Sequence, residues 1–344
     1  MASSTTSSST ATSTSTTTAT TAPEGCQGLS FTPTGVAMAS PGEGWVSGVW
    51  GSSGAVIART GDGGVTWTRS CLPPGTAILS QVVARGPAVW AVGGATVLRS
   101  TDAGWTWEPG RLPEDIAQLN DVTFVDGHRG WAVGRRHSGA GAVVATTDGG
   151  RTWLAQEVPP VGVLVGLTFS DANHGYAVAG TPEPAGAAFL ATSDGGRTWA
   201  TRSLPAEVAA LFDVTVTSSA RVVAVGRRPG SYGPSVALAS DDGGETWPTV
   251  ADMPATGLWS VAGRGERVWA LGGLTRGQVY RSDDGGGTWG PAVVLPAPAL
   301  EDVAFADTEH GWAVGTQRQC LYVTSDGGAT WAGLPLVPEA RCTA

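Results

Sequence analysis

Thr146-Thr147-Asp148-Gly149-Gly150-Arg151-Thr152-Trp153 recurs, with small changes, seven times along the 344 residues of the chain. The copies end at Trp67, Trp107, Trp153, Trp199, Trp247, Trp289 and Trp331, spaced 40, 46, 46, 48, 42 and 42 residues apart. A period of that length, carried through almost the whole chain, marks a repeat architecture. Each copy reads Ser/Thr-x-Asp-x-Gly-x-Thr-Trp, with aspartates at Asp62, Asp102, Asp148, Asp194, Asp242, Asp284 and Asp326. Asp followed by Gly is turn chemistry: the carboxylate accepts from backbone N–H groups just downstream, and glycine takes up positive φ without steric cost. Strand-like residues flank each turn, so each box is expected to be a hairpin tip.

A second pattern lies upstream of each box, as in Gly130-Trp131-Ala132-Val133-Gly134 and Gly311-Trp312-Ala313-Val314-Gly315. Such small, apolar runs suit strands covered on both faces. A third strand precedes most of them, clearest at Asp121–Val125, Asp213–Val216 and Asp302–Phe305, and residues after each box tryptophan supply a fourth. Four antiparallel strands repeated seven times predict an all-β, seven-bladed β-propeller. The expected blades are about 34–75, 76–115, 116–161, 162–207, 208–254, 255–298 and 299–340, within a propeller domain of 26–344. Of the fifteen tryptophans, seven end boxes and five (Trp45, Trp90, Trp131, Trp269, Trp312) sit in second strands, which predicts aromatic packing between blades.

Composition sets further bounds. Seventeen of the first 22 residues are Ser or Thr, so residues 1–25 read as a disordered linker that cannot bury a core. The net charge is −9 and every one of the 20 cations is arginine, which argues against nucleic-acid binding. No stretch is long and apolar enough to insert in a membrane. Nothing apolar follows Met1, so no signal peptide is legible; the Ser/Thr-rich tether nevertheless suggests an extracytoplasmic protein, with a cytoplasmic one as the alternative. Cys26, Cys71, Cys320 and Cys342 flank the first and last blades. They suggest disulfides where the ring closes, with three connectivities open and Cys26–Cys342 preferred.

The box and its neighbours also carry a family resemblance. Ser/Thr-x-Asp-x-Gly-x-Thr-Trp is similar to the Asp box, or BNR repeat, of sialidases, sortilin-type domains and xyloglucan-degrading glycosidases. Its combination with Phe124 through Gly134 and Phe305 through Gly315 resembles the photosystem II assembly and stability factor-like propellers. That resemblance covers roughly residues 34–335. It implies a non-enzymatic, partner-binding propeller whose boxes lie at the periphery, away from the ligand face, so the seven box aspartates are read as structural. A calcium role fails on ligand count, since one Asp among glycines cannot supply six to eight oxygens. The alternative is a sialidase-like or other carbohydrate-active enzyme or lectin; the Phe-Arg-Ile-Pro type signature carrying a sialidase's first arginine is missing.

Strand order puts the second-to-third loops and the fourth-to-first connections on one face. Those loops hold Arg135, Arg136, Arg227, Arg228, Tyr232, Arg276 and Arg318, six of the 20 arginines with one tyrosine. Guanidinium forks suit carboxylates and phosphates, so this face is expected to grip an acidic peptide segment, a chain terminus or an anionic glycan. Asp121, Asp213 and Asp302 begin first strands and are expected around the mouth of the channel on the same face, either to coordinate a cation or position a basic ligand, or to tie down the preceding loop through backbone hydrogen bonds. His128, His174 and His310 read as turn residues, because equivalent positions in separate blades cannot converge on one metal. No cofactor is expected, and the protein is expected to be a monomer.

Overall fold

The structure is a computed structural model that describes residues 31–336 except 52–53, 181–185, 218–220, 231–233, 256, 298 and 316–318. The described residues form seven four-stranded antiparallel sheets and no helix. Each sheet is contiguous in sequence, from Thr32–Met38 through Thr68–Arg69 in blade 1 to Gly311–Gly315, Cys320–Thr324 and Ala332–Pro335 in blade 7. First strands pack against first strands of neighbouring blades all the way round, including Thr32–Met38 against Leu300–Phe305. The molecule is therefore a seven-bladed β-propeller whose last blade meets its first without exchanging a strand among the described residues.

The boxes are the hairpin tips between third and fourth strands, at Cα register Ala145 with Leu154 in blade 3. Hydrogen bonding inside the box explains its sequence. Thr146 Oγ1 donates to Asp148 at 2.8 Å, and Thr152 donates to the same carboxylate through N at 3.0 Å and Oγ1 at 2.6 Å. Gly149 and Gly150 take φ of +73° and +85°, the left-handed region that favours glycine. In blade 2 Ala103 occupies the first of these positions at φ +59°, a conformation ordinarily left to glycine.

The aromatic residues form a repeated joint between blades. Trp131 of blade 3 stacks on Phe169 of blade 4 with centroids 3.7 Å apart, and Phe169 meets the box Trp199 edge-on at 5.9 Å. Trp131 Nε1 also donates to Gly195 O in the neighbouring box at 2.9 Å. The same joint recurs as Trp90, Phe124 and Trp153, and as Trp269, Phe305 and Trp331. Gly175, Gly130 and Gly311 sit across from these phenylalanines, where a Cβ would lie within 2.6 Å of the ring. That contact is the physical reason for the Phe…Gly-Trp pattern.

Neither Cys71 nor Cys320 is a free thiol. Cys71 lines a crevice with Gly104 and Trp105 of blade 2, while Cys320 is buried in the cluster shared with blade 6. Cys26, Cys342 and the linker 1–25 lie outside the described residues.

Candidate functional site

The first strands enclose an axial cavity of about 300 Å³. Its upper wall owes its shape to a repeated irregularity. In six blades the register between first and second strands slips by one residue, leaving Thr34, Asn120, Val165, Phe212, Trp259 and Glu301 unpaired. A bulge re-aims the extra side chain, and all six line the cavity. Phe212 and Trp259 lie side by side with centroids 4.7 Å apart, and Glu301, whose carboxyl burial shifts upward in pKa, lines the same cavity.

The residue after each bulge forms a second ring: Gly35, Asp121, Gly166, Asp213, Ser260 and Asp302, with Gln81 in blade 2. The three carboxylates do not begin their strands, as expected from the sequence, but follow the bulges inside them. Each accepts the N–H of its own next residue and one from the neighbouring blade. Asp121 takes Leu167 N at 2.7 Å, Asp213 takes Val261 N at 2.8 Å, and Asp302 takes Val36 N at 2.8 Å. Asp302 also receives the Ser260 hydroxyl at 2.9 Å. These carboxylates thus fasten adjoining blades, including the last to the first, rather than tying down the loops that precede them.

Burial is the main force raising their pKa values, reinforced at Asp121 by the charge of Asp213, while the backbone donors oppose it. Asp302, 7% exposed, is pushed up to about 6 by burial. Asp121 and Asp213 keep part of their surface on the open channel, yet protein encloses them enough for the upward direction to hold. Among the described residues, no group of three or more His, Cys, Asp or Glu side chains is arranged to hold a metal ion.

Arg135 lies opposite Gln118, upstream of Asp121, so both belong to the upper face. A hydrogen-bond relay connects it to the mouth: Arg135 Nε donates to Gln118 Oε1 at 3.1 Å, Gln118 Nε2 to Asn120 Oδ1 at 2.8 Å, and Asn120 Nδ2 to Leu164 O at 2.7 Å. Arg136 pairs with Asp115, and Arg228 with Asp252 and, at 3.9 Å, Glu207. Arg227 donates to Gly230 O, and Arg276 is exposed. Tyr232 and Arg318 lie outside the described residues. His174 and His310 pair with Asp171 and Asp307 in their own turns, and His128 N donates to Asp126. Phe212, Trp259 and Glu301 are absent from the sequence reading; their signal is the position just before the aligned Asp, Ser or Gly, whose meaning depends on the bulge.

A family model described as photosynthesis system II assembly factor YCF48 matches residues 151–298. The chain is a BNR-type propeller similar to that assembly factor. Among solved structures, YCF48 bound to D1 peptide is 21% identical to this propeller at a TM-score of 0.62, over 83% of this chain and 91% of that one. YCF48 from Cyanidioschyzon merolae is 20% identical at 0.61, over 87% and 97%. A streptogramin B lyase is 14% identical at 0.64, over 82% and 90%. At these identities the likeness of the propellers is one of fold. No curated protein matches the chain.

Proposed function

We propose that this BNR-type propeller is a non-enzymatic binding or assembly protein that takes an acidic protein segment on its arginine-bearing upper face. The observation that carries this reading is the relay from Arg135 through Gln118 and Asn120, which joins that arginine to the axial mouth. Blades 3 and 5 each present an adjacent arginine pair at the upper end of the second strand. The carboxylates now paired with Arg136 and Arg228 are exposed, and exposed ion pairs are weak enough for an incoming carboxylate to displace. The solved relative bound to a peptide supports a peptide as the class of partner. We further propose an extracytoplasmic location, in keeping with the Ser/Thr-rich tether.

The test is a crosslinking pull-down from the native host with the wild-type chain and the R135E/R136E/R227E/R228E variant. Reversing four charges should reduce recovery of the specific partner by about tenfold or more. Equal recovery by both forms, with the variant folded by circular dichroism, rejects the arginine face. A turnover on a fluorogenic sialoside or glucan panel, abolished by removing one carboxylate, would favour the glycoside-hydrolase reading instead.

A further inference from the structure

The lower end of the channel is built differently in two blades. In blades 1, 3, 4, 5 and 7 the first-to-second turn is closed by a backbone bond spanning five residues, as from Val125 N to Arg129 O and from Ala306 N to His310 O. Blades 2 and 6 instead use two-residue hairpins, pairing Arg85 with Ala88 and Arg264 with Arg267. Gly86 and Gly265 both take φ +57° at the first turn position, which such a tight hairpin requires. The residue just before each hairpin is an arginine. Its counterparts are Ala39, Val125, Ser170, Thr217 and Ala306, none of them charged.

Arg85 and Arg264 both line the axial cavity, from blades three steps apart round a seven-membered ring. Each guanidinium is steadied by a bond to the carbonyl before it, Arg85 Nη1 to Ala84 O at 3.1 Å and Arg264 Nη1 to Gly263 O at 3.0 Å. Neither forms an ion pair with any described carboxylate, although most arginines on the outer surface do. The carboxylate whose charge acts on Arg264 is that of Asp307, and it is occupied by His310 and by Glu309 N.

We propose that the lower mouth of the channel is an oxyanion site, in which Arg85 and Arg264 clamp a carboxylate or phosphate group from nearly opposite walls. Two guanidiniums facing one cavity without a counter-ion repel each other, and a bound oxyanion turns that repulsion into attraction. Burial lowers the pKa of both, and the charge of Arg85 lowers that of Arg264 further, as expected of unneutralised cations that share a space. Both residues are nevertheless exposed to solvent along the open channel, so the site can be reached from below. Thr123, Thr168 and Thr215 add hydroxyl groups to three successive blades of the wall above. Higher still, Asp121, Asp213 and Asp302 oppose an anion, which therefore stops at the arginines. This site lies at the opposite end of the axis from Arg135 and Arg227, and stands or falls independently of the proposed function.

The experiment is calorimetric titration of the full chain at low ionic strength with three probes: inorganic phosphate, a short neutral peptide with a free C-terminal carboxylate, and the same peptide amidated. We expect binding of phosphate, of the free-acid peptide, or of both, in roughly the millimolar to micromolar range, with no binding of the amide. Phosphate alone identifies a free or esterified phosphate as the source, and the acid peptide alone a chain terminus. R85A or R264A should each weaken binding by about tenfold or more, and R85K/R264K, which keeps charge and bulk but loses the fork, should fall between. No binding of either anion by the wild type overturns the proposal. So does binding that survives in folded R85A and R264A, or that is lost in R135E/R136E/R227E/R228E but not in these.

Discussion

Asp326 illustrates how a single residue acts in every blade. It accepts Thr324 Oγ1 at 2.8 Å, Thr330 N at 2.9 Å and Thr330 Oγ1 at 2.5 Å, and the Thr330 hydroxyl leads the interactions that hold its pKa at about 2. Asp194 and Asp242 are held at about 2 in the same way. A carboxylate with a depressed folded pKa contributes stability that is present above its ordinary value near ~4 and is lost as pH falls below it. The inner aspartates have the opposite sign. Asp302, raised to about 6, contributes stability that is full below ~4 and is lost as pH rises through 6. The melting temperature should therefore peak at mildly acidic pH and decline on both sides. A profile still rising from pH 5 to pH 8 would contradict the assignment of the buried carboxylates.

At the scale of an element, the second strand carries its blade's attachment to the next one. Trp131 is 4% exposed, stacks on Phe169 and bonds to Gly195 O, so truncation removes packing and strands a carbonyl. Trp131→Ala should cost about 3–5 kcal/mol, read as a lowered urea midpoint. Trp50, 47% exposed with Arg69 3.9 Å above its ring, tests the contrast. Trp50→Ala should cost no more than ~1 kcal/mol, the worth of an exposed cation–π contact. Equal midpoints for the two variants would show that the aromatic joint does not hold the blades.

Over the whole molecule, seven blades impose a problem of parity. Aspartates in blades 3, 5 and 7 alternate with the small residues Gly166 and Ser260 of blades 4 and 6, and Asp302 reaches on to blade 1, where Gly35 stands. An odd number cannot alternate to the end, and blade 2 carries Gln81, whose Oε1 accepts Val82 N at 2.8 Å as an aspartate would. A Cβ on Gly35 would come within 2.5 Å of that oxygen. Asp302 is thus a polar fastener of the seam where the last blade meets the first, with Trp312 against Trp67 beside it. Asp302→Ala orphans Val36 N and should cost about 1–3 kcal/mol, with hydrogen exchange quickened first in blades 1 and 7. Protection lost evenly round the ring would refute that closure.

Sequence alone determined the number of blades, the box turns and the aromatic joints, because each is encoded locally: a carboxylate bonding four residues ahead, a glycine at positive φ, a tryptophan at a fixed strand position. Arg135 and Asp121 were also legible as positions on one face. Tertiary structure decided what those positions do. A one-residue bulge determines whether Glu301 or Asp302 faces the axis, and periodicity does not reveal it. Ring closure brings Val36 to Asp302, and Arg85 to the same cavity as Arg264, across separations of 266 and 179 residues. No local pattern encodes such meetings, because they exist only once all seven blades have packed.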